Sequence, residues 1–137
     1  GPIWDFDITA GNVNVADNWR PQGCWVNKSR DLMPNWYTAL LDNRDFLDLV
    51  IARWKDKRAG LERLTDASIA TYARRLGQAQ AGNFARWPLL GETLPIDAFT
   101  FRTWEEHVAY LKAFLDQRLV WMDLAFSSPE AYAQMCR

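Results

Sequence analysis

Thr103-Trp104-Glu105-Glu106-His107-Val108-Ala109-Tyr110-Leu111-Lys112-Ala113-Phe114-Leu115 carries the clearest secondary-structure signal in the chain. Thr103 and Glu106 stand at capping-box spacing. The hydroxyl can accept from the backbone N–H three residues on, and the carboxylate can reach back to the cap. Behind the box, Trp104, Val108, Leu111, Leu115, Met122 and Phe126 recur at helical spacing. The pattern predicts a helix over 103–127, roughly 36 Å long at 1.5 Å per residue. Tyr110, Phe114 and Trp121 widen its apolar surface, so it should be covered on more than one side.

Upstream the same period recurs. Pro34 suits the first position of a helix over 34–42, with Trp36, Tyr37, Leu40 and Leu41 on its apolar face and Asn43 as its stop. A second helix is predicted over 45–58 from Phe46, Leu49, Val50 and Trp54. Asp45 at its start and Lys55, Lys57 and Arg58 at its end suit the macrodipole, and Gly60 is its expected terminator. A third is predicted from a Thr65 cap, with Leu64 stapled onto Ile69 and an inner face of Ile69, Tyr72, Ala73 and Leu76. Gly77 and Gly82 weaken it and Trp87-Pro88 ends it. Residues 89–101, with Gly91 and Pro95, read as a connector, and Ser128-Pro129 opens a short terminal helix. The predicted fold is mainly α, a bundle of four to five helices with a short N-terminal β segment.

Before the helices lies a loop over 10–33, rich in the turn formers Gly11, Asn12, Asn14, Asp17, Asn18, Pro21 and Gly23. Cys24-Trp25-Val26 within it reads as a short strand. A loop of this length in a compact domain is often functional. It follows Gly1-Pro2-Ile3-Trp4-Asp5-Phe6-Asp7, where two carboxylates flank a Phe after a β-leaning run. On a strand, Asp5 and Asp7 would share one face and repel each other unless a cation, a proton or a basic partner intervenes. A divalent ion such as Mg²⁺ is one answer, since it is held by one or two carboxylates plus substrate phosphates. Two solvated acids at a strand end are the other. The neighbouring acids and amides do not make an EF-hand, because its glycine position falls on Ala10 and its closing glutamate position on Ala16.

Composition bounds the function. A hydrophobic share of 49% and an aromatic share of 14% support a packed core, and eight Trp point to a crowded one or to a face that meets sugars or another domain. A net charge of −1 gives no field to recruit nucleic acid or an anionic membrane. No apolar run reaches membrane-spanning length. Cys24 and Cys136 lie far apart, and with His107 the only histidine no zinc set is available. The pair leaves both a disulfide and two free thiols open.

Several of these segments, in this order, resemble the spore-coat protein H (CotH) family of atypical kinases. The opening Gly-Pro-Ile-Trp-Asp-Phe-Asp with Ala10-Gly11-Asn12 is similar to that family's metal motif. Asp45-Phe46-Leu47-Asp48-Leu49-Val50-Ile51-Ala52-Arg53-Trp54 resembles its next helix, and Asn83-Phe84-Ala85-Arg86-Trp87 its Asn-x-x-Arg-Trp segment. The helix over 103–123, with Leu115, Arg118, Leu119, Trp121 and Asp123, resembles its closing helix. The resemblance implies the C-terminal part of a protein-kinase-like fold that uses ATP and Mg²⁺ or Mn²⁺ to phosphorylate protein hydroxyls. Asp5 and Asp7 would be the metal ligands, Asp5 foremost because it precedes the Phe, and Asn12 would help orient the metal shell. In the family, the nucleotide-facing lysine and a further catalytic acid precede this motif. On that expectation the chain is a single domain or domain fragment, with 1–33 as motif strand and loop and 34–137 as the helical part. It would be inactive alone and bind no cofactor tightly. Its partners would be a protein substrate, the preceding part of the same protein, and itself through an exposed apolar face, with no nucleic acid or membrane. A bacterial cell surface, a spore coat or secretion is the compartment the resemblance favours.

Two other classes compete. One is a non-catalytic helical surface or interaction module of the same ancestry. The other is a carbohydrate-binding module built on Trp19, Trp25 and Trp36, although packing over the helices is the expected use of these rings. His107 has no metal-pair spacing and reads as structural. Arg118 reads as snorkelling or paired near the core, or as a contact to an acid near the site, and Arg74-Arg75 as a solvated face.

Overall fold

The computed structural model describes residues 9–15, 17–28 and 35–136. Among them are five helices and no strand: α1 (Trp25–Lys28), α2 (Trp36–Asp42), α3 (Arg44–Arg86), α4 (Trp104–Ala125) and α5 (Pro129–Cys136). The mainly α expectation holds. The β segment expected at 1–7 lies outside the described residues.

Local chemistry accounts for most of the boundaries. Asn35 caps α2 by accepting from the Thr38 N–H at 3.1 Å. Asn43 ends α2 and then opens α3, its Oδ1 accepting from the Phe46 N–H at 3.0 Å. The capping box of α4 is formed in both directions. Thr103 Oγ1 accepts from Glu106 N, and Glu106 Oε2 accepts from Thr103 N, both at 3.2 Å. Ser128 Oγ accepts from Ala131 N at 3.1 Å and starts α5.

Two expectations are corrected. The helices predicted over 45–58 and from Thr65 are one, because α3 runs unbroken through 43 residues. Gly60 does not stop it and Thr65 does not cap it. A glycine costs a helix interior only about 1 kcal/mol relative to Ala. Gly60 lies among Lys57, Arg58, Ala59, Leu61 and Glu62, mostly strong helix formers, and no proline intervenes before Pro88. The second correction is Cys24-Trp25-Val26, which is not a strand. Trp25 and Val26 begin the single turn of α1.

The chain divides into two compact units, Gly1–Pro21 with Glu62–Asp116, and Gln22–Leu61 with Gln117–Arg137. The second holds the larger core. Leu47 and Ile51 of α3, Trp121 and Ala125 of α4, and Tyr132 and Cys136 of α5 are buried together, with Leu41, Met122, Phe126 and Met135 packed against them. Burying a large apolar side chain contributes about 1.5–3 kcal/mol. Polar groups tie the same core. Asp123 accepts from Trp54 Nε1 and from Arg58 Nε, each at 2.9 Å. Arg118, half-buried, donates to the Gly23 carbonyl at 2.7 Å and lies 4.7 Å from the Trp121 ring centre, and desolvation lowers its pKa. The packing reading of Arg118 is the one its described contacts match. Cys24 and Cys136 form a disulfide across 112 positions, their Cα atoms 5.0 Å apart. In the chain-entropy account, closing a loop of this size stabilises by about 4–5 kcal/mol.

Among the described residues of the first unit, the buried apolar side chains are Val13 and Phe114. Lys112 bridges Asp66 at 2.6 Å and Asp116 at 3.1 Å, which raises its pKa. All three side chains are about half exposed, so the pairs contribute little to stability. Arg74 and Arg75 are exposed, as a solvated face requires.

Candidate functional site

The site lies in the first unit, where the segment 9–15 leaves the acidic motif. Asp5 and Asp7 themselves lie outside the described residues. Thr9 and Ala10 form a short 3₁₀ turn, and Gly11 follows with φ +95°, a conformation that favours glycine. The Phe114 ring lies so close to Gly11 that an added Cβ would overlap it. The Gly11 carbonyl accepts from the Tyr110 hydroxyl at 2.8 Å. Phe114 and Tyr110 stand four residues apart on α4, so one helix face grips this glycine from two positions.

The next residues are pinned to the connector between α3 and α4. Asn12 Oδ1 accepts from the Phe99 N–H at 3.0 Å, and Asn14 N donates to the Ile96 carbonyl at 2.8 Å. Phe99 and Phe101 pack on Tyr110, with ring centres 5.2 and 5.0 Å away. Trp19 meets Phe99 edge-on at 5.9 Å, and His107 meets Phe101 at 4.8 Å. A cavity of about 200 Å³ opens beside Asn12, walled by Phe84, Phe99, Phe101 and His107, with Glu92 and Asp97 also lining it. Burial raises the pKa of the Tyr110 phenol.

Asn12 is thus placed by the fold, and its carbonyl oxygen retains a second lone pair beyond the Phe99 bond. By residue type, Asp5, Asp7 and Asn12 offer hard oxygen donors of the kind Mg²⁺ or Mn²⁺ takes. Among the described residues, no cluster of three or more His, Cys, Asp or Glu is arranged to hold a metal. His107 packs against an aromatic ring, in keeping with a structural role.

The supports of the loop were not singled out by sequence reasoning. Tyr110 and Phe114 were legible only as apolar surface, and Phe99 and Phe101 fell in a connector. The i, i+4 spacing of Tyr110 and Phe114 and the alternation Phe99-Thr100-Phe101 are the signals that could have found them. The three loop Trp do not share one role. Trp19 joins the aromatic cluster, whereas Trp36 stacks on Tyr37 at 3.9 Å with both rings more than half exposed.

The described residues form a mainly α domain whose loop over 9–15 is pinned behind an acidic motif. The sequence matches the CotH kinase protein family over residues 1–122. The chain belongs to the CotH kinase family. No curated protein and no solved structure matches it. No helix among the described residues is long and apolar enough to cross a membrane.

Proposed function

We propose that this chain supplies the divalent-metal site and helical scaffold of a CotH-type protein kinase that transfers phosphate from ATP to protein hydroxyls. The observation that carries this reading is the family match, which spans the acidic motif and the helices behind it. Asp5 and Asp7 would hold Mg²⁺ or Mn²⁺, with Asn12 at the edge of the metal shell. When bound, the ion neutralises phosphate charge and aligns the transferring group, which is most of what phosphoryl transfer demands.

The chain's own part is positional. Tyr110, Phe114 and Phe99 fix the backbone that follows the two acids, so the carboxylates meet the ion with little reordering. Mn²⁺ titration of the ¹⁵N-labelled chain tests this. The amide signals of residues 5–8 should broaden first and that of Asn12 next, and D5N/D7N should abolish the effect. Equal broadening in that variant, or none in the wild type, would sink the reading.

A second reading, a non-catalytic interaction module of the same ancestry, draws support from surface apolarity. Leu49 and Leu61 of α3 are 69% and 39% exposed. A groove beside Leu49, Trp54, Met122 and Phe126 adds to that surface. Self-association through this face would appear in sedimentation velocity as a dimer forming with concentration, and a clean monomer would count against it.

A further inference from the structure

The connector between α3 and α4 folds back on itself. The Gly91 N–H donates to the Phe101 carbonyl at 2.8 Å, and the Thr93 and Thr100 hydroxyls meet at 2.5 Å. At its tip the Leu94 N–H donates to Asp97 Oδ2 at 3.3 Å, and the Asp97 N–H donates back to the Leu94 carbonyl at 3.0 Å. Asn12 fastens the returning limb through the Phe99 N–H. The cavity of about 200 Å³ that these residues bound is therefore preformed, which spares a ligand part of the ordering cost. Its lining divides by chemistry. Phe84, Phe99, Phe101 and His107 offer ring surface, Glu92 and Asp97 offer carboxylates, and no Lys or Arg is among the described residues that line it. Among the described residues neither carboxylate has a cationic partner.

We propose that this cavity binds a small organic cation, an alkylammonium group, with its carbon stem along the phenylalanine rings and its ammonium at Glu92 and Asp97. The rings serve twice, covering the methylenes and attracting the positive end with their faces. The rival occupants fit worse. A phosphate or nucleotide would meet two like charges. A bare metal ion would want a further ligand, and among the described residues no three His, Cys, Asp or Glu are arranged to hold one. A purely apolar guest would leave both carboxylates unused. The size suits one short side-chain-like group, since pockets for drug-sized ligands run to about 300–1,000 Å³. A free polyamine and a lysine side chain both present this group. The inference does not rest on the metal reading, because Glu92 and Asp97 belong to the connector and not to the acidic motif.

Titration of the ¹⁵N-labelled 137-residue chain with n-butylammonium chloride tests the proposal. No divalent ion is present, so this result and the Mn²⁺ titration fail separately. The amides of 92–101 and of Asn12 should shift together and saturate with a millimolar Kd. Butan-1-ol, which carries the same stem without charge, should bind at least about fivefold more weakly. E92Q/D97N keeps the size of both side chains and the acceptor for the Leu94 N–H, and it should weaken butylammonium at least about fivefold. Added salt should weaken butylammonium and spare butan-1-ol, a readout that needs no variant. Spermidine and Nα-acetyl-lysine-N-methylamide should both compete for the site, and the tighter of the two identifies the source of the group. Equal binding of butan-1-ol overturns the proposal, as does binding that ignores salt or E92Q/D97N. Shifts that never saturate, or that spread over acids elsewhere in the chain, overturn it as well.

Discussion

The two units stabilise themselves by different means. The second buries side chains from three helices in one cluster and adds a disulfide. Among the described residues of the first, the buried apolar side chains are Val13 and Phe114, and the loop is held by hydrogen bonds and ring contacts. Segments held by few buried contacts lie at the low end of local stability, where ligand-binding loops are drawn from. The contrast sets a three-helix core in one unit against a loop pinned by a few local contacts in the other.

The largest effect expected from this contrast is in the packed core. Trp121→Ala removes a ring that is 8% exposed, and truncating a buried aromatic costs about 3–5 kcal/mol. Urea unfolding followed by circular dichroism should show that loss. A cost under about 1 kcal/mol would mean the cluster is no core. Gly11→Ala should come next, at about 2–4 kcal/mol, because the new Cβ meets the Phe114 ring and φ is +95°. Its damage should be local, so hydrogen exchange should rise in 9–15 and 96–101 more than in 45–58. A neutral Gly11→Ala would show a loop free to move away from Phe114, and the proposed pinning would fail.

What was legible in the sequence follows the range of the interactions involved. The Thr103–Glu106 box and the Ser128 cap formed as expected, because each is complete within four residues. The unbroken α3 was not legible. Gly60 looks like a terminator locally, and only the strength of its neighbours as helix formers overrides it. α1 was missed because its support comes from Tyr132 and Cys136, more than 100 positions away. The disulfide had the same difficulty, since two distant cysteines carry no local sign of pairing. At the candidate site Asn12 was visible as a polar loop residue, but Phe99, its partner 87 positions on, was not. The family was legible because the order of its segments runs over most of the chain.

The smallest expected effect is the most specific to the site. Tyr110→Phe deletes the hydroxyl that holds the Gly11 carbonyl, a loss of about 1 kcal/mol at neutral pH. Burial raises the Tyr110 pKa above its ordinary value of 10.0, so the folded unit holds that proton more tightly than the unfolded chain does. That contribution is complete below the unfolded pKa and fades as pH rises through the folded one. Urea melts of wild type and Tyr110→Phe between about pH 7 and 11 isolate it, because the other titrating groups are common to both proteins. The stability gap should be constant up to about pH 9 and narrow above pH 10, since only the wild type loses the phenol's proton. A gap that stays flat through pH 11 would mean Tyr110 is no more deeply held than a surface tyrosine. The Gly11 carbonyl would then be held by something else, and α4 would lose the hydrogen bond by which it positions the loop behind the acidic motif.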